Sequence, residues 1–377
     1  MARTPDGTRR PPPYGRPMTR RHLTVLAAGA LCATALAAAP AAPARADKLD
    51  RALSRLTREG APGAVVLVRR GTHTRRVARG YADRATRRPM RAGDRFRIGS
   101  LTKTFTATVV LRLAGEGRLS LDDSVERWLP GLVPGGERIT VRELLNHTSG
   151  LFNYTEDERV LEGLLSDRLR AWSPRELVAI ATAHPPTFAP GARWAYSNTG
   201  YIVLGLIAET ADGRPLATQL QTRIFAPLKL RHTSFDSEPQ IAGRYAHGYF
   251  GFPRPRDVSV LNPTGAWAAG AMVSTAADVG RFYRAQLRGR LLRPKEMRAM
   301  TTTVPIVPGA GYGLGIARTR TACGTAWMHG GDIPGYLTSA QTSVDGRRQA
   351  VVMVNTDTLT PRAQRALDRL TTAAYCG

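Results

Sequence analysis

The sequence predicts an α+β fold in which one antiparallel sheet is built from both ends of the chain. The first and last helices flank that sheet, and an all-helical lobe is inserted in the middle. Three observations predict it. β-rich runs lie toward the two ends, at residues 63–69 and 74–81 and again at 326–329, 336–342 and 349–355. Helical periods dominate residues 161–230. At 377 residues the chain is also longer than one hydrophobic core usually serves.

The elements follow in order. Residues 1–22 hold six arginines, one acid and five prolines, and the apolar stretch 23–39 comes next. Ala44-Arg45-Ala46 offers an A-x-A cleavage site. Thr19-Arg20-Arg21-His22-Leu23 resembles a twin-arginine export signal. Residues 1–46 are therefore expected to be an export signal, and 47–377 a secreted, extracellular domain. Beyond residue 46 no apolar run reaches the roughly 18 residues of a membrane span, so no transmembrane anchor is expected after cleavage.

In the mature region, 63–69 and 74–81 read as a hairpin, and 101–113 as an apolar helix. Thr140 is placed to cap a short helix at 141–146. Helices are expected at 174–183, 199–210 and 215–225, a crossing loop at 248–264, and a helix at 275–287 capped by Thr275 or Ser274. The strands at 336–342 and 349–355 meet at the Asp345-Gly346 turn, and a helix at 362–375 closes the chain. These give an α/β lobe from 47–120 and 255–377, a mainly helical lobe from 121–254, and a site between them.

Composition excludes several classes. The formal charge is +25, from 54 basic and 29 acidic residues. Without residues 1–46 it is 47 against 28, or +19, and only four lysines remain beside the arginines. The arginines are scattered and do not alternate with aromatics, which argues against nucleic-acid binding. Favourable encounter with an anionic polymer is a consequence of the charge. Two cysteines survive cleavage, Cys323 and Cys376, and an isolated even pair in an oxidising compartment is expected to be bonded. No histidine stands at ligand spacing from either, so no metal is expected. No G-x-x-x-x-G-K-[ST] loop occurs, and no organic cofactor is implied.

Three short motifs carry chemistry. Ser100-Leu101-Thr102-Lys103 is an S-x-x-K after a strand-like segment, placing an amine one turn from a hydroxyl. A serine is a weak nucleophile until a base takes its proton, and an amine whose pKa is lowered by burial can do so. Read alone, the same residues serve as a helix cap and a surface lysine. Tyr196-Ser197-Asn198 follows Pro190-Gly191; a tyrosine can relay protons, and an amide can hold the lysine. Alone, Asn198 reads as an N-cap. His329-Gly330-Gly331 ends an expected strand before an Asp332-Ile333-Pro334-Gly335 turn, and its glycines permit close backbone approach.

Together, in this order, the motifs resemble the serine penicillin-recognising hydrolases. The nearest branch holds secreted D-alanyl-D-alanine carboxypeptidases, class C β-lactamases, esterases and D-aminopeptidases. Residues 144–151 (LLNHTSGL), Trp267-Ala268-Ala269-Gly270 and Tyr312-Gly313-Leu314-Gly315 fit the same pattern. The resemblance spans residues 50–375 and implies a β-lactamase/DD-peptidase-like fold. It makes Ser100 the acylated nucleophile, with Lys103 and Tyr196 sharing the base and acid work. Asn198 positions Lys103 and substrate, His329 replaces the third motif's lysine, and Trp267 lines the pocket. Gly331 and Asp332 lie beside the substrate, and the N–H groups of Ser100 and Asp332 form the oxyanion hole. His147 and Thr148 shape a loop at the cleft.

The implied activity is D-alanyl-D-alanine carboxypeptidase or transpeptidase, acting as a monomer on peptidoglycan-type peptides or another small acyl substrate, with β-lactams as inhibitors or substrates. A β-lactamase, esterase or D-aminopeptidase would use the same core residues, and a catalytically silent cell-wall-binding protein is the alternative of another class. One departure stands out: Asp332 follows Gly331 where a hydroxyl residue often helps to hold a terminal carboxylate, and Arg318 or Arg320 would have to offset it.

Overall fold

The computed structural model describes residues 48–377, other than Asp236 and the side chains of Leu164 and Leu165. The expected export segment, residues 1–46, lies outside the described residues. The strands are β1 (Gly63–Arg70), β2 (His73–Asp83), β3 (Arg88–Pro89), β4 (Phe96–Arg97), β5 (Ser234–Phe235), β6 (Tyr249–Phe250) and β7 (Arg256–Asp257). They continue with β8 (Met272–Ser274), β9 (Val304–Val307), β10 (Ala310–Tyr312), β11 (Ala317–Thr321), β12 (Gly324–Ile333), β13 (Tyr336–Ser343) and β14 (Arg348–Val354). The helices are α1 (Lys48–Arg58), α2 (Thr102–Gly115), α3 (Val125–Trp128), α4 (Val141–Leu145), α5 (Glu158–Ser166), α6 (Pro174–Thr182) and α7 (Asn198–Asp212). After these come α8 (Leu216–Leu220), α9 (Ala226–Leu228), α10 (Trp267–Gly270), α11 (Ala276–Leu287), α12 (Pro294–Thr301) and α13 (Pro361–Cys376).

One antiparallel sheet of nine strands runs in the order β3-β2-β1-β14-β13-β12-β11-β10-β9. Its centre joins the two ends of the chain, with Ala64 opposite Val354 and Val68 opposite Ala350. Side chains alternate between the faces. Ala64, Val66, Val352 and Val354 pack with Leu53 and Leu56 of α1 and with Leu370 and Tyr375 of α13. Val65, Leu67, Val351 and Met353 face the other way, into the main core with Phe105 of α2 and Val279 and Phe282 of α11. Because β1 is buried on both faces, its sequence GAVVLV is continuously apolar.

Helices α2 to α10 lie in the chain between β4 and β8. All of α2 from Thr102 to Leu111 is buried, as expected of a helix apolar all round. α7 packs against α2, α4, α6 and α10. Thr140 caps α4 in a capping box with Glu143, as its position in the sequence suggests, and Ser173 and Glu176 do the same for α6. The bond between Cys323 and Cys376 ties the start of β12 to the end of α13.

The structure departs from the expectations at several points. The helix beside α13 is α1, which the sequence reading did not assign, whereas the helix after Ser100 packs into the other face. The segment 215–225 divides into α8 and a π-helical turn at Gln221–Phe225. The expected crossing loop contains the β6–β7 hairpin. β12 does not end at His329 but runs on to Ile333, so the two glycines lie inside a strand and the turn comes after it. Their role is close packing rather than termination.

Candidate active site

Ser100 sits in a 3-10 turn, Gly99–Leu101, that leads into α2. It therefore precedes the α-helix by a turn and does not itself open it. Two glycines bring this turn against β12. Gly99 has a φ of +50°, and a Cβ there would stand 2.8 to 3.0 Å from the backbone of Asp332. A Cβ on Gly331 would come within 2.0 Å of the Ile98 carbonyl oxygen. The Thr338 hydroxyl donates to that same oxygen at 2.9 Å, tying the turn to β13. The Asp332 backbone is thereby laid beside the turn that carries Ser100.

Lys103 is fully buried. Its Nζ lies 3.0 Å from Ser100 Oγ, 2.7 Å from Asn198 Oδ1 and 2.8 Å from the Ala269 carbonyl oxygen. Burial lowers its pKa well below the usual lysine value. The protons can then be placed. Oδ1 and the Ala269 carbonyl only accept, so a neutral amine donates its two N–H bonds to them. Its lone pair is left facing the Ser100 hydroxyl. The Asn198 amide cannot turn over, because its Nδ2 donates to Asn153 Oδ1 at 3.2 Å and Thr155 Oγ1 at 3.1 Å.

The Tyr196 phenol lies close enough to Ser100 to feel its hydroxyl, and its ring centroid is 5.0 Å from Lys103 Nζ. Burial raises its pKa, and the Asp332 charge adds to the rise, so the phenol is protonated at neutral pH. Behind it lies an aromatic wall. His147 is buried at a φ of +63°, its ring 4.4 Å from that of Tyr196, and its Nδ1 accepts from the Ser197 N–H at 3.2 Å. Burial and the nearby Lys103 and His329 hold its pKa well below the usual value.

His329 is also buried, and burial depresses its pKa to about 4. Its Nδ1 is 2.6 Å from the Gly330 carbonyl and its Nε2 2.8 Å from Tyr312 Oη. The carbonyl requires a proton on Nδ1, so Nε2 accepts from the tyrosine. A neutral, inward-turned imidazole thus occupies the position where the third motif's lysine was expected. Asp332 opens to solvent; partial burial and the neighbouring Asp357 raise its pKa to about 6.

The fold thus gathers Ser100, Lys103, Tyr196, Asn198, Gly331, Asp332 and His329. The Trp267 ring packs on Gly205, two turns along α7 from Asn198. What this segment supplies is the Ala269 carbonyl. Asn153, Thr155 and Tyr312 were also not assigned from sequence. Tyr312 stood within a quoted motif, whereas Asn153 and Thr155 carried no signal beyond their place after the LLNHTSGL run. Arg318 pairs with Trp327 and Arg320 with Thr325, further down the strand from Asp332. Among the described residues no cluster of His, Cys, Asp or Glu could hold a metal ion, and no helix is long and apolar enough to cross a membrane.

This geometry is that of a serine acyl-transfer site, and comparison agrees. The β-lactamase family model matches residues 8–374, and the chain belongs to that family. It is similar to a D-stereospecific amidohydrolase from Streptomyces sp., with 41% identity and a TM-score of 0.80 over 86% of this chain and 98% of that one. A D-amino acid amidase from Ochrobactrum anthropi is 28% identical, with a TM-score of 0.78 over 86% and 97% of the two chains. Penicillin-binding protein 4* of Bacillus subtilis is 28% identical over 317 residues, 76% of this chain and 66% of that protein. The chain spans slightly less than two thirds of the length of the first curated relatives it matches. The chain is thus a member of the serine β-lactamase and penicillin-binding protein family.

Proposed function

We propose that the chain hydrolyses amides and peptides of D-amino acids through an acyl-enzyme on Ser100. The observation that carries this reading is the uncharged hydrogen-bond set of Lys103, which leaves a lone pair facing Ser100 Oγ. Lys103 takes the serine proton as Oγ bonds to the substrate carbonyl carbon. The new ammonium has three N–H bonds and three acceptors already in place. The backbone N–H groups of Ser100 and Asp332 donate to the oxyanion. Tyr196, protonated and beside Ser100, hands a proton to the leaving nitrogen as the C–N bond breaks and is reprotonated from Lys103. Water then attacks the ester by the same route in reverse, releasing the acid and restoring Ser100. Asn198 and the Ala269 carbonyl position the amine, and His329 braces the strand through Tyr312.

Similarity to the D-stereospecific amidohydrolase supports the substrate class. The acids support the side on which it is open: Asp332 and Asp357 favour a neutral or cationic group beyond the scissile bond. Release of a terminal D-alanine is the second reading, supported by the penicillin-binding relative. It requires a cation for the terminal carboxylate, and Arg318 and Arg320 sit opposite Trp327 and Thr325, further along β12 from Asp332. The proposal includes export by residues 1–46, a cleft between the two lobes drawn from the sequence, and β-lactams as inhibitors or substrates.

The test is hydrolysis of D- and L-phenylalanine amide and of a D-alanyl-D-alanine peptide by wild type and Ser100→Ala, with intact mass after brief exposure to benzylpenicillin. The expected result is at least tenfold preference for the D-amide, lost in the variant. Release of D-alanine without amide turnover would establish the second reading instead.

A further inference from the structure

We propose that the crevice between the β1–β2 hairpin and α11 binds a linear, multiply charged phosphate chain. Arginines that look scattered in the sequence converge there: Arg69, Arg76, Arg281, Arg284, Arg288 and Arg290 line a cavity of about 570 Å³. Its remaining lining is Leu67, Thr74 and two alanines, with no carboxylate.

Local geometry explains the convergence. Leu67 pairs with Arg76 and Arg69 with Thr74, so alternation places both arginines on the sheet face that Leu67 shares with α11. On α11, positions 281, 284 and 288 recur at helical spacing on one side. Arg69 and Arg284 face each other across the crevice. Burial and the Arg284 charge hold the Arg69 guanidinium below its ordinary pKa. Both have a buried Nε with no hydrogen-bond partner among the described residues. The acid on this helix, Asp278, meets Arg281 at 3.4 Å and is already engaged by the His232 N–H and the Thr233 hydroxyl.

Like charges this close oppose one another, and an anion between them removes the opposition. Guanidinium forks bind phosphate oxygens in bidentate fashion. The length of the ligand follows from a second crevice of about 470 Å³, which shares Arg281 and Arg290 and adds Lys229 and Arg231. A single phosphate would fill a small part of this track. Neither crevice is lined by Phe, Tyr or Trp, so nothing provides the stacking platform that single-stranded nucleic acid uses. A polyol phosphate polymer and an inorganic oligophosphate both meet these requirements.

The experiment is calorimetric titration of the purified protein at fixed ionic strength with inorganic tripolyphosphate, a glycerol phosphate oligomer and an oligothymidylate of matched charge. Saturable binding of either phosphate chain is expected, and the tighter of the two identifies the source. Arg69→Gln/Arg284→Gln should weaken it at least tenfold. Arg288→Gln, which removes an exposed charge and no buried group, should also weaken it. Arg318→Gln/Arg320→Gln, which removes the same charge from β11, should change it less than twofold. Equal loss in the β11 variant, no saturable binding, or tighter binding of the oligothymidylate would overturn the proposal.

Discussion

Asn198 Oδ1 stands 2.7 Å from Lys103 Nζ, a neutral acceptor at a place where a carboxylate would keep the amine charged. Asn198→Asp supplies that carboxylate with almost no change of shape. An opposite charge at this distance favours the ammonium, so the pKa of Lys103 rises. The acidic limb of the kcat/KM profile then moves to higher pH, and activity at pH 7 falls about tenfold for each unit by which the limb passes above pH 7. A pH profile on a chromogenic ester checks this; an unmoved limb would show that Lys103 is not the group taking the proton.

Gly331 and Gly330 are neighbours with opposite tolerance. A Cβ at 331 meets the Ile98 carbonyl, whereas at 330 the nearest atom is 3.9 Å away. Gly331→Ala should push β12 off the Ser100 turn, cost about 1–3 kcal/mol of stability and remove most activity. Gly330→Ala should change both little. Urea melts and initial rates on the pair decide it, and equal effects would contradict the packing described.

Cys323 and Cys376 are separated by 53 residues. In the chain-entropy model, closing such a loop contributes about 4 kcal/mol. Replacing both by serine should lower the urea midpoint without changing the rate at 25 °C, since the bond joins β12 to α13 and touches none of the site residues. A rate loss at full occupancy of the native state would argue against this division.

Asp157 caps α5 through the Arg159 N–H and also accepts from the Arg159 and His184 side chains. The Arg159 and His184 bonds hold its carboxyl below the usual range. A depressed folded pKa gives stability that is present above the unfolded carboxyl's value and lost as pH falls. Asp157→Asn keeps a capping oxygen and loses the charge. It should cost up to about 1 kcal/mol at pH 7, since its partners face solvent, and the gap should narrow as pH falls below the unfolded carboxyl's value and close only below the depressed folded one. A gap that persists into acid would assign the effect to packing.

Much of the site was legible because helices translate spacing into proximity. Ser100 and Lys103, three apart across a turn, and Tyr196 and Asn198, at the start of α7, could be read directly as candidate partners. Ala269 could not, because a backbone carbonyl has no residue type to announce it. Trp267 entered through the motif it shares with Ala269, and its ring packs on Gly205 of α7. The close approach expected of the glycines is made by Gly331 alone, and the strand expected to end at His329 runs on to Ile333. In the fold, β9 and β10 passed unseen because Pro305, Gly309 and Gly311 interrupt any alternation, and β11, ARTRT, because it holds no large apolar residue. α1 was missed because its apolar stripe is narrow and arginines fill the remainder.

The pairing of Ala64 with Val354 also sets a timetable. A ribosome releases β1 and β2 long before β14 exists, so the centre of the sheet cannot form while the chain is being made. Val65 and Leu67 must wait, uncovered, for Met353 and Val351. The helices of the middle segment rest on local contacts and can assemble sooner. The first strands are therefore exposed to aggregation and to chaperones until β14 has been made, and that strand decides when the exposure ends.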